Sequence, residues 1–136
     1  AAQNGSVVVG WYTEANSTPL VRMIRSDDDG KSFGPPVTID SDSPVGRVDI
    51  DFLGSGDAVV SWIGESGPDE GALLWRVVPK TGRLDPIQKV TSISTQRNAG
   101  FPQMSRVGDG LLFAWTDTSG SAAAIRTARV LFSHEN

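Results

Sequence analysis

The chain has 136 residues, 38% of them hydrophobic and four of them tryptophan, so it is long and apolar enough to bury the core of one domain. It contains no cysteine, which excludes disulfides and thiolate metal sites, and its 15 glycines and 8 prolines are typical of an all-β protein with many tight turns. The net charge of −4 without a basic stripe argues against nucleic acid, and no apolar run reaches the roughly 18 residues of a membrane span.

The first segment, residues 1–45, predicts a hairpin, a long turn and an outer strand in that order. A glycine turn at residues 4–5 precedes an apolar run at 7–13, and the run at 20–26 alternates in strand fashion. The outer strand at 35–40 begins with two prolines, which a strand tolerates at a free edge. No inner strand is predicted ahead of the glycine turn, so this segment is expected to form an incomplete four-stranded sheet.

The long turn, Ser26 to Phe33, reads SDDDGKSF and contains side chains that can hydrogen-bond to the backbone of the same turn. Ser and Asp side chains bond to backbone amides a few residues on, and Gly30 adopts positive φ without strain. Phe33 is expected to tuck into the neighbouring core as the chain turns back. The turn is therefore predicted to be held by Ser26, Asp28, Gly30, Ser32 and Phe33.

The same order of elements recurs twice more along the chain. Residues 46–97 predict a complete sheet, with strands at 46–53, 58–64, 72–78 and 86–91. Their long turn, PKTGRL at 79–84, keeps a glycine but lacks the Ser and Asp side chains. Residues 98–136 predict strands at 100–107, 111–117 and 123–130 and no outer strand.

Three tryptophans occupy the same place in the three segments. VVVGWYT, AVVSWIG and LLFAWTD each have three apolar residues, a small residue and then Trp11, Trp62 or Trp115, spaced 51 and 53 residues apart. This period suits a propeller blade of about 40 to 50 residues with its loops. The three side chains could stack on sugars, but their equivalent placement favours packing between blades. Trp75 has no counterpart and is the better candidate for a surface contact.

The octapeptide at Ser26 to Phe33 resembles the Asp-box, or BNR repeat, which marks the hairpin between the third and fourth strands of blades in sialidase-like β-propellers. The blade pattern covers nearly the whole chain, although only this octapeptide matches the motif strictly. The resemblance implies an all-β fold of antiparallel four-stranded propeller blades, between two and three in number, that six blades would complete. It also implies a secreted or periplasmic location.

A propeller with so few blades cannot close, because an open blade edge leaves backbone donors and acceptors unpaired. The resemblance therefore implies a fragment, about the C-terminal half of a propeller, whose remaining blades are a separate chain or a second copy of this one. The charges would favour association of two copies. Residues 1–70 hold 12 Asp and Glu against 4 Lys and Arg, and residues 71–136 hold 4 against 8.

Four residues at the inner strands are candidate ligand-binding groups. Inner-strand ends face the central pocket of a propeller, where Arg47 and Arg97 could direct a guanidinium at an anionic ligand; a loop salt bridge would explain them too. Asp49 and Asp51 share a strand face at a separation that suits acid–base work or a cation, and a water-filled channel explains them equally. Carbohydrate is the ligand class that the resemblance implies.

Sialidase chemistry is incomplete in this chain. The family uses three arginines and a Tyr activated by a Glu, but its Arg-Ile-Pro signature is absent and the single tyrosine, Tyr12, has Glu14 two positions later, a spacing more typical of a half-exposed strand face. Phe101 stands where a tyrosine of the last inner strand would be sought, and His134 lies in the C-terminal tail. The Asp run at 27–29 lacks the spacing of a calcium loop. No catalytic residue, metal or cofactor is assigned.

Two functions remain open from the sequence. The first is a fragment of a sialidase-like glycoside hydrolase that is not catalytically competent on its own. The second is a non-catalytic propeller module that binds carbohydrate or protein.

Overall fold

The computed structural model describes residues 1–132, and His134 lies outside the described residues. They form β1 (Ala2–Gln3), β2 (Ser6–Thr13), β3 (Leu20–Ser26), β4 (Val37–Asp40), β5 (Pro44–Phe52), β6 (Ala58–Gly67), β7 (Glu70–Val78), β8 (Gln88–Ser94), β9 (Gln103–Val107), β10 (Gly110–Asp117) and β11 (Ala124–Leu131), with 3-10 turns at Ala15–Ser17 and Arg97–Ala99. The prediction of an all-β chain is confirmed.

The strands form three antiparallel sheets in chain order. Sheet 1 is β1-β2-β3-β4, sheet 2 is β5-β6-β7-β8, and sheet 3 is β9-β10-β11. The prediction that the first segment lacks an inner strand is wrong, because Asn4 and Gly5 reverse the chain at positive φ and bring Ala2 opposite Val7 and Gln3 opposite Ser6. This strand is too short to show any periodicity in the sequence.

Sheet 2 packs on sheet 1 with one face and on sheet 3 with the other. In β6, Val60 and Trp62 belong to the core shared with sheet 1, whereas Val59 and Ile63 belong to the core shared with sheet 3, as strand alternation requires. The first core contains Val8, Val21, Met23, Ile39, Phe52, Ala58, Val60, Trp62 and Val78; the second contains Val59, Ile63, Leu73, Trp75, Val77, Ile93, Met104, Leu111 and Phe113.

Trp75 is buried in the second core, so its interpretation as a surface contact is wrong. Its side chain is 8% exposed, and its ring centroid lies 6.2 Å from that of Phe113 and 5.9 Å from that of Phe132. The physical reason is the alternation of β7: Trp75 shares one face of the strand with Leu73 and Val77, and all three pack in the core shared with sheet 3.

Candidate functional site

The turn from Ser26 to Phe33 is held by side chains, as its sequence predicts. The Ser26 hydroxyl donates to Asp28 Oδ1 at 2.7 Å and accepts from the Gly30 amide at 2.9 Å, and Asp28 also accepts from the amide (2.9 Å) and hydroxyl of Ser32. These bonds, with those from the Ser32 and Ser26 hydroxyls largest, lower the pKa of Asp28 to about 2. Phe33 is 42% exposed, so the expectation that it tucks into the core is wrong.

The second long turn keeps the backbone closure of the first without its side-chain bonds. The Gly34 amide donates to Arg25 O at 2.9 Å, and the Asp85 amide donates to Val77 O at 3.2 Å in the same position of the next sheet. In the second turn, Leu84 packs against the first core instead. Apolar packing has thus replaced the Ser and Asp side chains.

The carboxylates of Asp49 and Asp51 connect two sheets. Asp49 Oδ2 accepts from the Met104 amide at 2.8 Å, and Asp51 Oδ2 accepts from the Arg106 amide at 3.0 Å, so both side chains join β5 to β9. Each Oδ1 accepts from the next amide of its own strand, at 2.9 and 2.8 Å. These contacts are structural, and a ligand-binding role for the pair stays a prediction.

The two candidate arginines meet at one loop but differ in environment. Arg47, at a φ of 54°, donates from Nη2 to the carbonyls of Thr95 (2.8 Å) and Gln96 (3.0 Å). Its buried Nη1 has no hydrogen-bond partner among residues 1–132, and burial lowers the pKa of its guanidinium. Arg97, the next residue after Gln96, begins a 3-10 turn and is exposed. Binding of an anion by either arginine remains a prediction.

Tyr12 and Glu14 do form a pair. The tyrosine hydroxyl donates to Glu14 Oε1 at 2.6 Å, and burial, followed by the bond to Glu14 and its charge, raises the pKa of Tyr12 to about 12. The ring lies against Gly46, where an added Cβ would approach Tyr12 Cγ to 3.1 Å. A raised pKa keeps the phenol protonated at neutral pH, which disfavours a phenolate nucleophile.

A cleft of about 700 Å³ lies between sheets 2 and 3, beside the β6–β7 hairpin and the end of β10. Sequence reasoning did not find it. Its charged lining consists of Asp69, Glu70, Asp117 and Arg126, one wall is the indole of Trp115, and serines and threonines supply much of the rest.

Asp117 is fixed within the cleft by its neighbours. It accepts from the Ser119 hydroxyl at 2.6 Å, from the Ser119 amide at 2.9 Å and from Arg126 Nε at 3.1 Å. These bonds, the one from the Ser119 hydroxyl largest, lower the pKa of Asp117 to about 2. It is therefore a preorganised carboxylate at neutral pH.

The cleft lies where sheets 2 and 3 lack the polar contact that joins sheets 1 and 2. Between sheets 1 and 2, Asp40 Oδ2 accepts from Trp62 Nε1 at 2.7 Å in a buried bond. Asp40 lies opposite Val21 just before a register shift, and Thr91 lies opposite Leu73 just before the equivalent shift in sheet 2. The sequence signal was therefore available: the outer strands VTID and QKVT align so that Thr91 stands in the position of Asp40.

Neither a membrane-spanning helix nor a cluster of three metal-ligating side chains is present in the part of the chain that the structure describes. Within residues 1–132, no helix combines the length and apolar character needed to cross a membrane. The same residues contain no cluster of three or more His, Asp or Glu side chains arranged to hold a metal ion.

Comparison of the chain with protein-family models and with curated proteins yields no match. The contacts within residues 1–132 indicate what each candidate residue does. Those contacts separate the candidate groups into two sets: Asp49, Asp51 and Arg47 bond to neighbouring backbone, whereas the cleft at Trp115 retains free polar groups.

Proposed function

We propose that the chain forms three consecutive blades of a sialidase-like, Asp-box β-propeller and has no catalytic activity on its own. The observation that carries this proposal is the packing of sheet 2, which has an equivalent sheet on each face. Such face-to-face stacking of similar four-stranded sheets is how propellers are built. The turn at Ser26 to Phe33, with its Ser and Asp hydrogen bonds, adds support from the motif.

Two sheet faces that would be covered in a ring are open in this chain. On sheet 1, Val9 is 43% exposed, although its equivalent in sheet 2, Val60, is fully buried. On sheet 3, Leu112 is 38% exposed, although its equivalent, Val59, is fully buried. The open face of sheet 1 is therefore equivalent to the face of sheet 2 that packs on sheet 1. The open face of sheet 3 is equivalent to the face of sheet 2 that packs on sheet 3, so the two open faces are suited to pack on each other.

An unpaired donor on sheet 1 also favours a covering sheet. Arg22 lies directly opposite Trp11, on the open face, and its Nε is buried without a hydrogen-bond partner among the described residues. A buried guanidinium nitrogen without an acceptor is unfavourable. A further sheet packed on this face would supply such an acceptor.

A second copy of the chain is the occupant that the charges favour. Acidic residues predominate in residues 1–70, which contain sheet 1, and basic residues predominate in residues 71–136, which contain sheet 3. Packing sheet 3 of each copy on sheet 1 of the other would bring together six sheets, the number that the resemblance implies, through two identical contacts.

Light scattering on the purified chain tests this arrangement. We expect a dimer, which Leu112→Glu converts to a monomer because it places a charge in the apolar contact. Thr81→Glu, which adds the same charge on an exposed turn, should remain dimeric. A wild-type chain that stays monomeric at its highest soluble concentration would contradict pairing of two copies.

Assay with a fluorogenic sialoside tests the absence of catalysis. We expect no turnover, because the chain lacks the Arg-Ile-Pro signature that supplies one of the three arginines of the family's site. Turnover by the purified chain that is lost on Tyr12→Phe would refute this part of the proposal.

A further inference from the structure

Trp115 differs from its equivalent, Trp62, because its indole N–H has no acceptor among the described residues. Trp62 is fully buried and its Nε1 donates to Asp40, whereas Trp115 is partly exposed and its Nε1 makes no hydrogen bond among residues 1–132. Thr91, in the position of Asp40, instead donates its hydroxyl to Ser92 O at 3.1 Å. Trp115 packs partly against the second core, and the rest of its indole, with an N–H donor, lines the cleft.

The remaining walls of the cleft are rich in groups that both donate and accept. Ser66, Ser94 and Thr116 supply hydroxyls, and Gln96 supplies an amide. A ligand with many hydroxyls would exchange its hydrogen bonds to water for bonds to these groups. A purely apolar ligand would leave them unpaired, which is costly.

The charges of the cleft select against anions. The cleft is lined by three carboxylates, those of Asp69, Glu70 and Asp117, and by one guanidinium, that of Arg126, which already donates to Asp117. A carboxylate or phosphate on the ligand would therefore meet like charge. Neutral polyols meet no such penalty, and carboxylate oxygens are strong acceptors for their hydroxyls.

We infer that the cleft between sheets 2 and 3 is a binding site for a neutral oligosaccharide, with Trp115 as the surface on which a sugar ring stacks. The apolar C–H face of a pyranose matches the flat indole, and its equatorial hydroxyls reach the polar rim. The volume of about 700 Å³ falls in the range typical of ligand clefts. This inference depends on the cleft alone and does not require the proposed ring.

Nuclear magnetic resonance of the indole N–H groups tests the site directly. The full chain is titrated with maltotriose, cellotriose, chitotriose and, as the anionic comparison, sialyllactose, and the Trp115 signal is assigned from Trp115→Phe. We expect at least one neutral trisaccharide to shift the Trp115 signal saturably, with a Kd of about 0.1 to 10 mM. Sialyllactose should leave it unchanged.

Thr91→Asp provides a variant in which the site closes while the fold is retained. The new carboxylate should accept from Trp115 Nε1 as Asp40 does from Trp62, and binding should weaken at least about tenfold without loss of thermal stability. Thr18→Asp, at an exposed loop position, is the matched control and should bind as the wild type does. Failure of every neutral trisaccharide to shift Trp115, equal binding by Thr91→Asp, or equal binding of sialyllactose would each overturn the inference.

Discussion

At the scale of single residues, the chain contains its own comparison of a bonded and an unbonded tryptophan. Trp62→Phe leaves the buried Asp40 carboxylate without its indole donor, so we expect a loss of about 2–4 kcal/mol in the free energy of unfolding, part of it from the smaller ring. Trp115→Phe removes no hydrogen bond and should cost less than about 1 kcal/mol. Urea denaturation measures both, and equal losses would refute a stabilising role for the Asp40 contact.

Individual side chains were predictable from the sequence where their partners are local. Ser26 and Asp28 bond within the same turn, so the residue types alone indicate the contacts. The contact of Asp49 with the Met104 amide is not predictable in this way, because the two residues lie 55 positions apart in different sheets. The absence of an equivalent tryptophan in the other repeats predicts Trp75 at the surface, but strand alternation directs it inward.

At the scale of elements, the turn at Ser26 to Phe33 should make stability depend on pH through Asp28. Its pKa is about 2 in the folded chain against an ordinary value of 3.8, so the folded state binds the proton less readily. The stabilisation from Asp28 is therefore present above about pH 4 and is lost as the pH falls toward 2. The melting temperature of the wild type should exceed that of Asp28→Asn at neutral pH, and the difference should shrink in acid.

The control for this turn is Asp42→Asn, which changes an exposed carboxylate outside it. Its melting temperature should follow the wild type at each pH. A difference between wild type and Asp28→Asn that stays constant from neutral pH down to about pH 2 would contradict the assigned role of ionised Asp28.

The pairing of β5 with β9 should depend on the acceptor oxygens of Asp49. Both oxygens are used, one by the Ile50 amide and one by the Met104 amide. Asp49→Ala leaves the Met104 amide without an acceptor and should cost about 1–3 kcal/mol in urea unfolding. Asp49→Asn keeps one oxygen and should fall between. If the only role of Asp49 were to bind a ligand, both variants would have the same free energy of unfolding as the wild type.

The existence of the long strands was easier to predict than the number of strands in each sheet. Long strands such as β6 and β10 contain the recurring run of three apolar residues, a small residue and Trp, so their existence follows from the pattern. The two-residue β1 has no periodicity to detect, and its formation depends on the turn at Asn4 and Gly5. The cleft is harder to predict, because the strand registers are needed to show that Thr91 stands beside Trp115 in the position that Asp40 holds beside Trp62.

At the scale of the whole molecule, the stacking of three sheets predicts a gradient of amide protection. β6 is the most buried strand, between two cores, whereas β11 is exposed along most of its length and has no outer strand beside it in residues 1–132. In the Leu112→Glu monomer, hydrogen exchange should therefore be slowest in β6 and at least about 100-fold faster in β11. If two copies pair as proposed, the wild type should slow exchange in β10 and β11 but leave β6 unchanged. Equal protection of β6 and β11 in the monomer would contradict this organisation, because it would require a cover on sheet 3 from within the same chain.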